Sequence, residues 1–137
     1  MAFKRTNLGS FSGTLYASGT ITANEVGVWA EWPQYPVTAG LLRMEPADLA
    51  GDETLAVVLS VAFNAAGDGE VILHTFTTVT STNAAENLIL PGGDSGTILA
   101  VANESVGTPW PEYWKIDSTL VGTVKSMQYT IYAALVG

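Results

Sequence analysis

The sequence predicts an all-β protein, a single-domain β-sandwich of jelly-roll type with an extended N-terminal arm. Short apolar segments rich in Val, Ile, Leu and Thr recur along the chain, with turns between them at intervals of about 8 to 12 residues. Several of these segments alternate apolar and polar residues, which is the period of a half-buried strand. We therefore divide the chain into an arm or edge segment, 1–24, and a β-sandwich domain, 25–137.

The N-terminal segment differs from the rest of the chain in composition. Residues 6–24 contain no charge and are rich in Gly, Ser and Thr, which favours an arm or a loosely held edge segment. Leu15, Tyr16 and Ile21 could still form a short strand there. Lys4 and Arg5 precede this segment, so a positive end stands before an acidic body. Such an end can contact an acidic neighbour, or it can be solvated.

Strands are predicted in order along the remaining chain. Residues 54–63 form a continuous apolar run, typical of a strand that is buried on both faces, and 64–69 supply the turn to a return strand. The last two strands bury alternate residues, including Trp114 and Ile116 in the first, and are predicted to form a hairpin. One short helix is predicted at 45–50, with Pro46 in its first turn. The predicted strands are 26–31, 54–63, 70–80, 88–90, 97–102, 113–120 and 127–135.

Composition excludes several classes of function. There is no cysteine, which excludes disulfides, thiolate metal sites and thiol nucleophiles. The net charge of -8 disfavours a nucleic-acid-binding surface, and no apolar run reaches the about 18 residues of a membrane span. Charged residues make up 13% of the chain, against about 25% in typical soluble domains. Either much of this weakly charged surface is covered in the working state, or it is simply neutral and polar.

Catalytic motifs are weak, and the chain is predicted to be non-enzymatic, with no cofactor and no metal. Residues 93–96 spell Gly-Asp-Ser-Gly, the sequence around a serine protease nucleophile, but also a common turn. His74 is the only histidine, so we expect a packed or half-exposed strand residue rather than a base or ligand. The acidic groups at 45–53 and 68–70 do not match the spacing of a calcium loop.

Aromatic residues are the remaining functional candidates. Two proline-punctuated segments contain all four tryptophans, WAEWPQYP at 29–36 and PWPEYW at 109–114. We expect Trp114 in the core, and Trp32 and Trp110 exposed, either at a protein interface or in a loop that stacks on sugars. The candidate interface residues are Lys4, Arg5, Phe11, Tyr16, Trp32, Tyr35 and Trp110.

The order of the strands and the kinds of residue in them resemble those of a known family. The segments are ETLAVVLSVAF, the return strand EVILHTFTTV, then ILAV, YWKIDSTLVGT and SMQYTIYAALV. Together they are similar to the small β-sandwich head-decoration, or capsid cement, proteins of tailed bacteriophages. The resemblance covers most of 53–137; residues 1–50 match nothing, and the Trp-Pro segment there departs from it.

That resemblance implies a virion structural protein without an active site. Such a protein is made in the host cytoplasm, sits on the outer capsid surface and tethers neighbouring major capsid proteins. It also implies self-association, as a homodimer or homotrimer, and neither nucleic acid nor membrane is expected as a partner. We further expect that deleting 1–24 weakens capsid binding and leaves the body folded. The alternative is a carbohydrate-binding β-sandwich module, which exposed coplanar aromatic rings would favour.

Overall fold

The chain forms two antiparallel four-stranded sheets. The computed structural model describes residues 9–35, 37, 39–47, 54–80, 85–90, 111–122 and 127–137, and these contain strands and no helix. The strands are β1 Ser10–Ala17, β2 Ala30–Glu31, β3 Ala39–Ala47, β4 Thr54–Ala62, β5 Val71–Thr75, β6 Glu86–Leu90, β7 Tyr113–Val121 and β8 Gln128–Val136.

The strand order is that of a jelly roll. The first sheet has the order β1-β8-β3-β6 and the second β2-β7-β4-β5. The pairs β1 with β8, β2 with β7, β3 with β6 and β4 with β5 are the rungs of one long antiparallel ribbon. Wrapping this ribbon also brings β3 beside β8 and β4 beside β7. The predicted all-β sandwich of jelly-roll type is therefore confirmed.

The core lies between the two sheets and is built by alternation along each strand. In β7, Trp114, Ile116 and Leu120 are buried, as the sequence pattern predicts. In β4, Leu55, Val57, Leu59 and Val61 are buried, and Ala56 and Val58, which alternate with them, are half-buried because β4 lies inside its sheet between β5 and β7. The predicted strand at 97–102 lies outside the described residues.

The helix predicted at 45–50 is wrong where the structure describes it. Ala39–Ala47 form β3, which pairs with β8 over its whole length. Strand β6 pairs with β3 only as far as Met44, so Pro46 lies where β8 is the one neighbour of β3 among the described residues. A residue without an N–H is tolerated at such an unpaired side of a strand, which explains a proline in this one.

The hairpin predicted from the last two strands is also wrong. Strand β7 pairs with β2 and β4, whereas β8 pairs with β1 and β3, so the two lie in different sheets. An apolar face on each of two strands suits side-by-side pairing and packing across a core equally well. The alternation therefore predicts which residues of β7 and β8 are buried, but not which strands they pair with.

Residues 10–31 close one edge of the sandwich. Strand β1 runs along β8, and the chain continues through an Ile21–Met127 bridge. It then crosses to the second sheet, where Glu25 bridges Ser118 and β2 pairs with the start of β7. Of the strand predicted at 26–31, only Ala30–Glu31 are regular.

Part of the segment predicted as an arm or edge segment belongs to this edge of the sandwich. Within 1–24, Ser10–Ala17 form an edge strand, and Ile21 is fully buried in the core. Removing 1–24 would take an edge strand from the first sheet and a side chain from the core, so the deletion should lower the stability of the body. That the body still folds without 1–24 stays a prediction.

Candidate functional site

An aromatic cluster fills the core beside this closed edge. The Trp32 and Trp114 side chains are buried, with ring centroids 5.9 Å apart. The Trp32 indole N–H donates to the Pro111 carbonyl oxygen at 2.9 Å, and that of Trp114 donates to the Glu31 carbonyl at 3.2 Å. The expected burial of Trp114 is confirmed, and the expected exposure of Trp32 is wrong. Because its one polar atom is satisfied, Trp32 is packed as a core residue.

The other candidate interface residues that the structure describes, Phe11, Tyr16 and Tyr35, do not form one exposed site. The Tyr16 ring contacts Trp114 edge-on at 6.4 Å and lies 5.7 Å from Tyr129. Phe11 and Tyr35 are likewise half-buried against the core. Lys4, Arg5 and Trp110 lie outside the described residues, so their role stays a prediction.

Two hydroxyls are enclosed within this region of the core. The Tyr129 and Ser118 hydroxyl oxygens are buried, with no hydrogen-bond partner among the described residues. Burial raises the pKa of Tyr129 above its usual range, and burial together with the nearby Glu25 carboxylate also raises that of Tyr16. Both phenols therefore remain protonated near neutral pH and are poor candidates for proton transfer.

The most exposed apolar side chains lie on the segment that runs along the outer side of β7. Val26 and Val28 are 81% and 80% exposed, and we call residues 25–29 the valine edge. Its backbone is held in place, because Glu25 and Ser118 exchange two backbone hydrogen bonds and the Gly27 N–H donates to an Asp117 carboxylate oxygen at 2.8 Å. The valine edge is thus a fixed strip with the Val26 and Val28 side chains directed into solvent.

Sequence reasoning missed this exposure. The alternation at 26–31 predicted a strand but did not say which side chains would be exposed, and it is Gly27 that faces β7. A Cβ on Gly27 would meet the backbone carbonyl of Ile116. The signal available in the sequence was a glycine between two valines in a strand pattern, which marks a close approach of two backbones.

Trp29 is covered from two sides rather than presented to a ligand. The Lys115 ammonium lies 5.0 Å from its ring centroid and also pairs with Asp117 at 3.4 Å and Glu70 at 3.6 Å. On its edge the ring abuts Gly67, whose positive φ of 88° suits glycine. Among the described aromatic side chains the most exposed are Phe63, in the turn that follows β4 of the second sheet, and Tyr132, on β8 of the first sheet. The exposed coplanar pair that a sugar-binding module needs is therefore absent from this part of the chain.

A side-chain contact joins the two sheets at the opposite edge of the sandwich. His74 on β5 and Glu86 on β6 are 2.8 Å apart between Nε2 and Oε2, and the Thr77 N–H donates to the other Glu86 oxygen at 2.8 Å. The His74 ring also packs edge-on against Phe76 at 4.7 Å. His74 is a half-exposed strand residue, as predicted. Burial alone would raise the pKa of Glu86, but the hydrogen bonds from His74 and Thr77 outweigh it and hold the pKa below 4.5.

This contact predicts how stability depends on pH. A carboxyl group whose pKa is lower when folded stabilises the protein above its unfolded pKa, and the stabilisation is lost as the pH falls through the folded value. We expect Glu86→Gln to lower the free energy of unfolding by about 1 kcal/mol at pH 7. The difference between variant and wild type should shrink below pH 4.5.

Urea unfolding of both proteins between pH 7 and pH 3 measures this dependence. The control is Glu45→Gln, which removes one partner of an exposed pair on β3 and should cost little at any pH. A constant difference between Glu86→Gln and wild type over the whole range would contradict the assignment.

The described residues contain neither a candidate metal site nor a membrane-spanning helix. Within the described ranges, no three His, Cys, Asp or Glu side chains cluster closely enough to hold a metal ion. No helix in the same ranges is long and apolar enough to cross a membrane. The Gly-Asp-Ser-Gly segment at 93–96 lies outside the described residues. Comparisons with protein-family models, curated proteins and solved structures found no match.

Proposed function

We propose that this protein is a non-enzymatic virion structural protein, a decoration or cement protein. It sits on the outer surface of a bacteriophage capsid and bridges neighbouring major capsid proteins. The valine edge carries this proposal, because it is a rigid, strongly exposed apolar strip. The class of partner comes from the resemblance of residues 53–137 to head-decoration proteins.

The physical properties of the valine edge suit a docking role. Its backbone is already ordered by bonds to Ser118 and Asp117, so little chain entropy is lost when a partner covers it. Val26 and Val28 also lose little rotamer freedom on burial, compared with Lys or Glu. No described residue hydrogen-bonds the backbone of Val26 or Val28, so the outward side is open to an extended partner segment.

The composition of the chain supports the same role. A surface poor in Lys and Glu can be covered at low entropic cost, and 13% charged residues is low for a domain. On a symmetric shell the same contact recurs many times, and a protein that bridges two subunits binds through avidity. A modest contact at each site is therefore sufficient for stable decoration.

The proposal predicts loss of capsid binding when the valine edge is made polar. The double change Val26→Ser with Val28→Ser should weaken binding at least about tenfold, because it removes both exposed anchors. The measurement is co-sedimentation of the purified protein with capsids assembled without it. The matched control is Val71→Ser with Ile72→Ser, which changes two exposed apolar residues, 47% and 48% accessible, on β5 at the opposite edge of the second sheet.

The outcomes separate the alternatives. Equal loss in both double variants would mean that general surface hydrophobicity, not the valine edge, governs binding. Failure of the wild-type protein to sediment with capsids would overturn the capsid proposal. In that case a glycan-binding screen of the same protein tests the carbohydrate alternative directly.

A further inference from the structure

The outer face of the first sheet has few charged side chains and several exposed apolar or small ones. On β8, Tyr132 and Val136 are 42% and 44% exposed, with exposed Ala134 between them. Leu41 on β3 lies beside Ala134 and is 39% exposed. On the other side, β1 contributes the exposed small residues Ser10, Ser12 and Thr14.

The charges on this face cancel. Its only charged side chains among the described residues are Arg43 and Glu45 on β3, which form an ion pair at 2.9 Å. Arg43 also donates to the Asn87 side-chain oxygen at 3.1 Å. The face therefore has no net charge, whereas the whole chain carries -8. Other exposed regions contain acidic residues, including Glu25 in the valine edge and Glu31 on β2.

We propose that this neutral face binds a second copy of the chain, so that two molecules pack sheet against sheet about a two-fold axis. This inference does not depend on the capsid proposal, because the face lies on the first sheet and the valine edge borders the second. Electrostatics favour this occupant. Two copies of an acidic protein repel each other over most of their surfaces, and they repel least where the charge is zero.

The charge pair on β3 is also self-complementary. A two-fold axis places the same patch opposite itself in reversed order, so that Arg43 of each copy can face Glu45 of the other. Packed sheets lie about 10 Å apart, which two long side chains can span. The two ion pairs within the separate chains can therefore be exchanged for two pairs between the chains.

The size of the face is sufficient. Four strands spaced about 4.8 Å apart, with about 8 residues each at about 3.3 Å per residue, cover about 500 Å² per copy. Two copies would then bury about 1,000 Å² in total, which is the lower limit of a specific protein interface. The expected dimer is therefore specific but of modest affinity.

The first experiment measures mass by sedimentation equilibrium at about 1 to 100 μM, a range that brackets dimers of modest affinity. Wild type should approach twice the 14.4 kDa of one chain. Ala134→Lys puts a charge at the centre of the face and should weaken dimerisation at least about tenfold. The matched control is Thr119→Lys, an exposed position on β7, an inner strand of the other sheet, and it should dimerise like wild type.

The second experiment tests the two-fold pairing of charges. Arg43→Glu and Glu45→Arg should each be monomeric, because each places like charges opposite one another twice. Mixing the two single variants should restore a heterodimer, since opposite charges then face each other at both positions. If Arg43 and Glu45 interacted only within one chain, mixing the two variants would not restore a dimer.

Each other result would overturn the inference. The proposed interface is excluded if the wild-type protein is a monomer at about 100 μM or forms a trimer. It is also excluded if Ala134→Lys dimerises as tightly as wild type. If Ala134→Lys lowers capsid sedimentation while wild type is monomeric, the face belongs to the capsid contact and not to a second copy. Circular dichroism of every variant confirms that the sandwich is folded.

Discussion

Replacing Trp32 by alanine is expected to lower the free energy of unfolding by about 3 to 5 kcal/mol, the range for a large aromatic side chain removed from a core. Trp32 is 4% exposed, packs against Trp114, and donates its indole N–H to the Pro111 carbonyl. The substitution leaves a cavity between the sheets and removes the only hydrogen-bond donor of that side chain. Urea unfolding at pH 7 measures the effect.

The comparison variant is Trp29→Ala, from the same Trp-Pro segment. Trp29 is half-buried and packs under Lys115 on the outer side of the second sheet. Its removal should cost about 1 to 2 kcal/mol, clearly less than that of Trp32. A small loss of stability in Trp32→Ala, equal to that in Trp29→Ala, would contradict the core position of Trp32 and return it to the list of interface candidates.

Replacing Gly27 by alanine is expected to cost about 2 to 3 kcal/mol, as overpacking at a rigid contact does. A Cβ at this position would lie too close to the Ile116 carbonyl, and backbone cannot move aside as a flexible side chain can. The valine edge should therefore lift away from β7, breaking the Gly27 N–H bond to Asp117. Amide exchange of Glu25 and Ser118 reports this detachment directly.

Gly19→Ala is the control for the glycine substitution itself. Gly19 has a φ of 64° and no atom within 4 Å of an added Cβ, so its replacement tests backbone conformation without a clash. It should cost about 1 to 2 kcal/mol and leave the exchange of Glu25 unchanged. If Gly27→Ala left exchange at Glu25 and Ser118 as slow as in wild type, the close approach to Ile116 would not be what holds the edge.

The fold class was predictable because alternation is a local property of the chain. The pattern around Ile116 and Leu120 in β7, and around Tyr129 and Ile131 in β8, gives their burial without knowledge of any partner. Pairing depends instead on residues far away, which is why a hairpin was predicted for two strands that lie in different sheets. Pro46 misled in the same way, since its place in a strand depends on where β6 ends.

The candidate site was harder to predict for a similar reason. Exposure of an aromatic residue depends on what folds over it, and Trp32 is covered by the chain at Pro111, about 80 positions away. Val26 and Val28 were not singled out from the sequence, and the close approach of Gly27 to β7 directs both into solvent. The interface roles of Lys4, Arg5 and Trp110 stay predictions.

The ribbon arrangement of the strands also governs when the molecule can fold. Strand β1 pairs with β8, more than 100 residues further along, so the first sheet cannot be completed until β8 has been synthesised. Among the described strand pairs only β4 and β5 are close in sequence, and this pair is the natural place for structure to begin. During translation the early strands must therefore remain unpaired, and a sequence poor in charge is then at its greatest risk of aggregation.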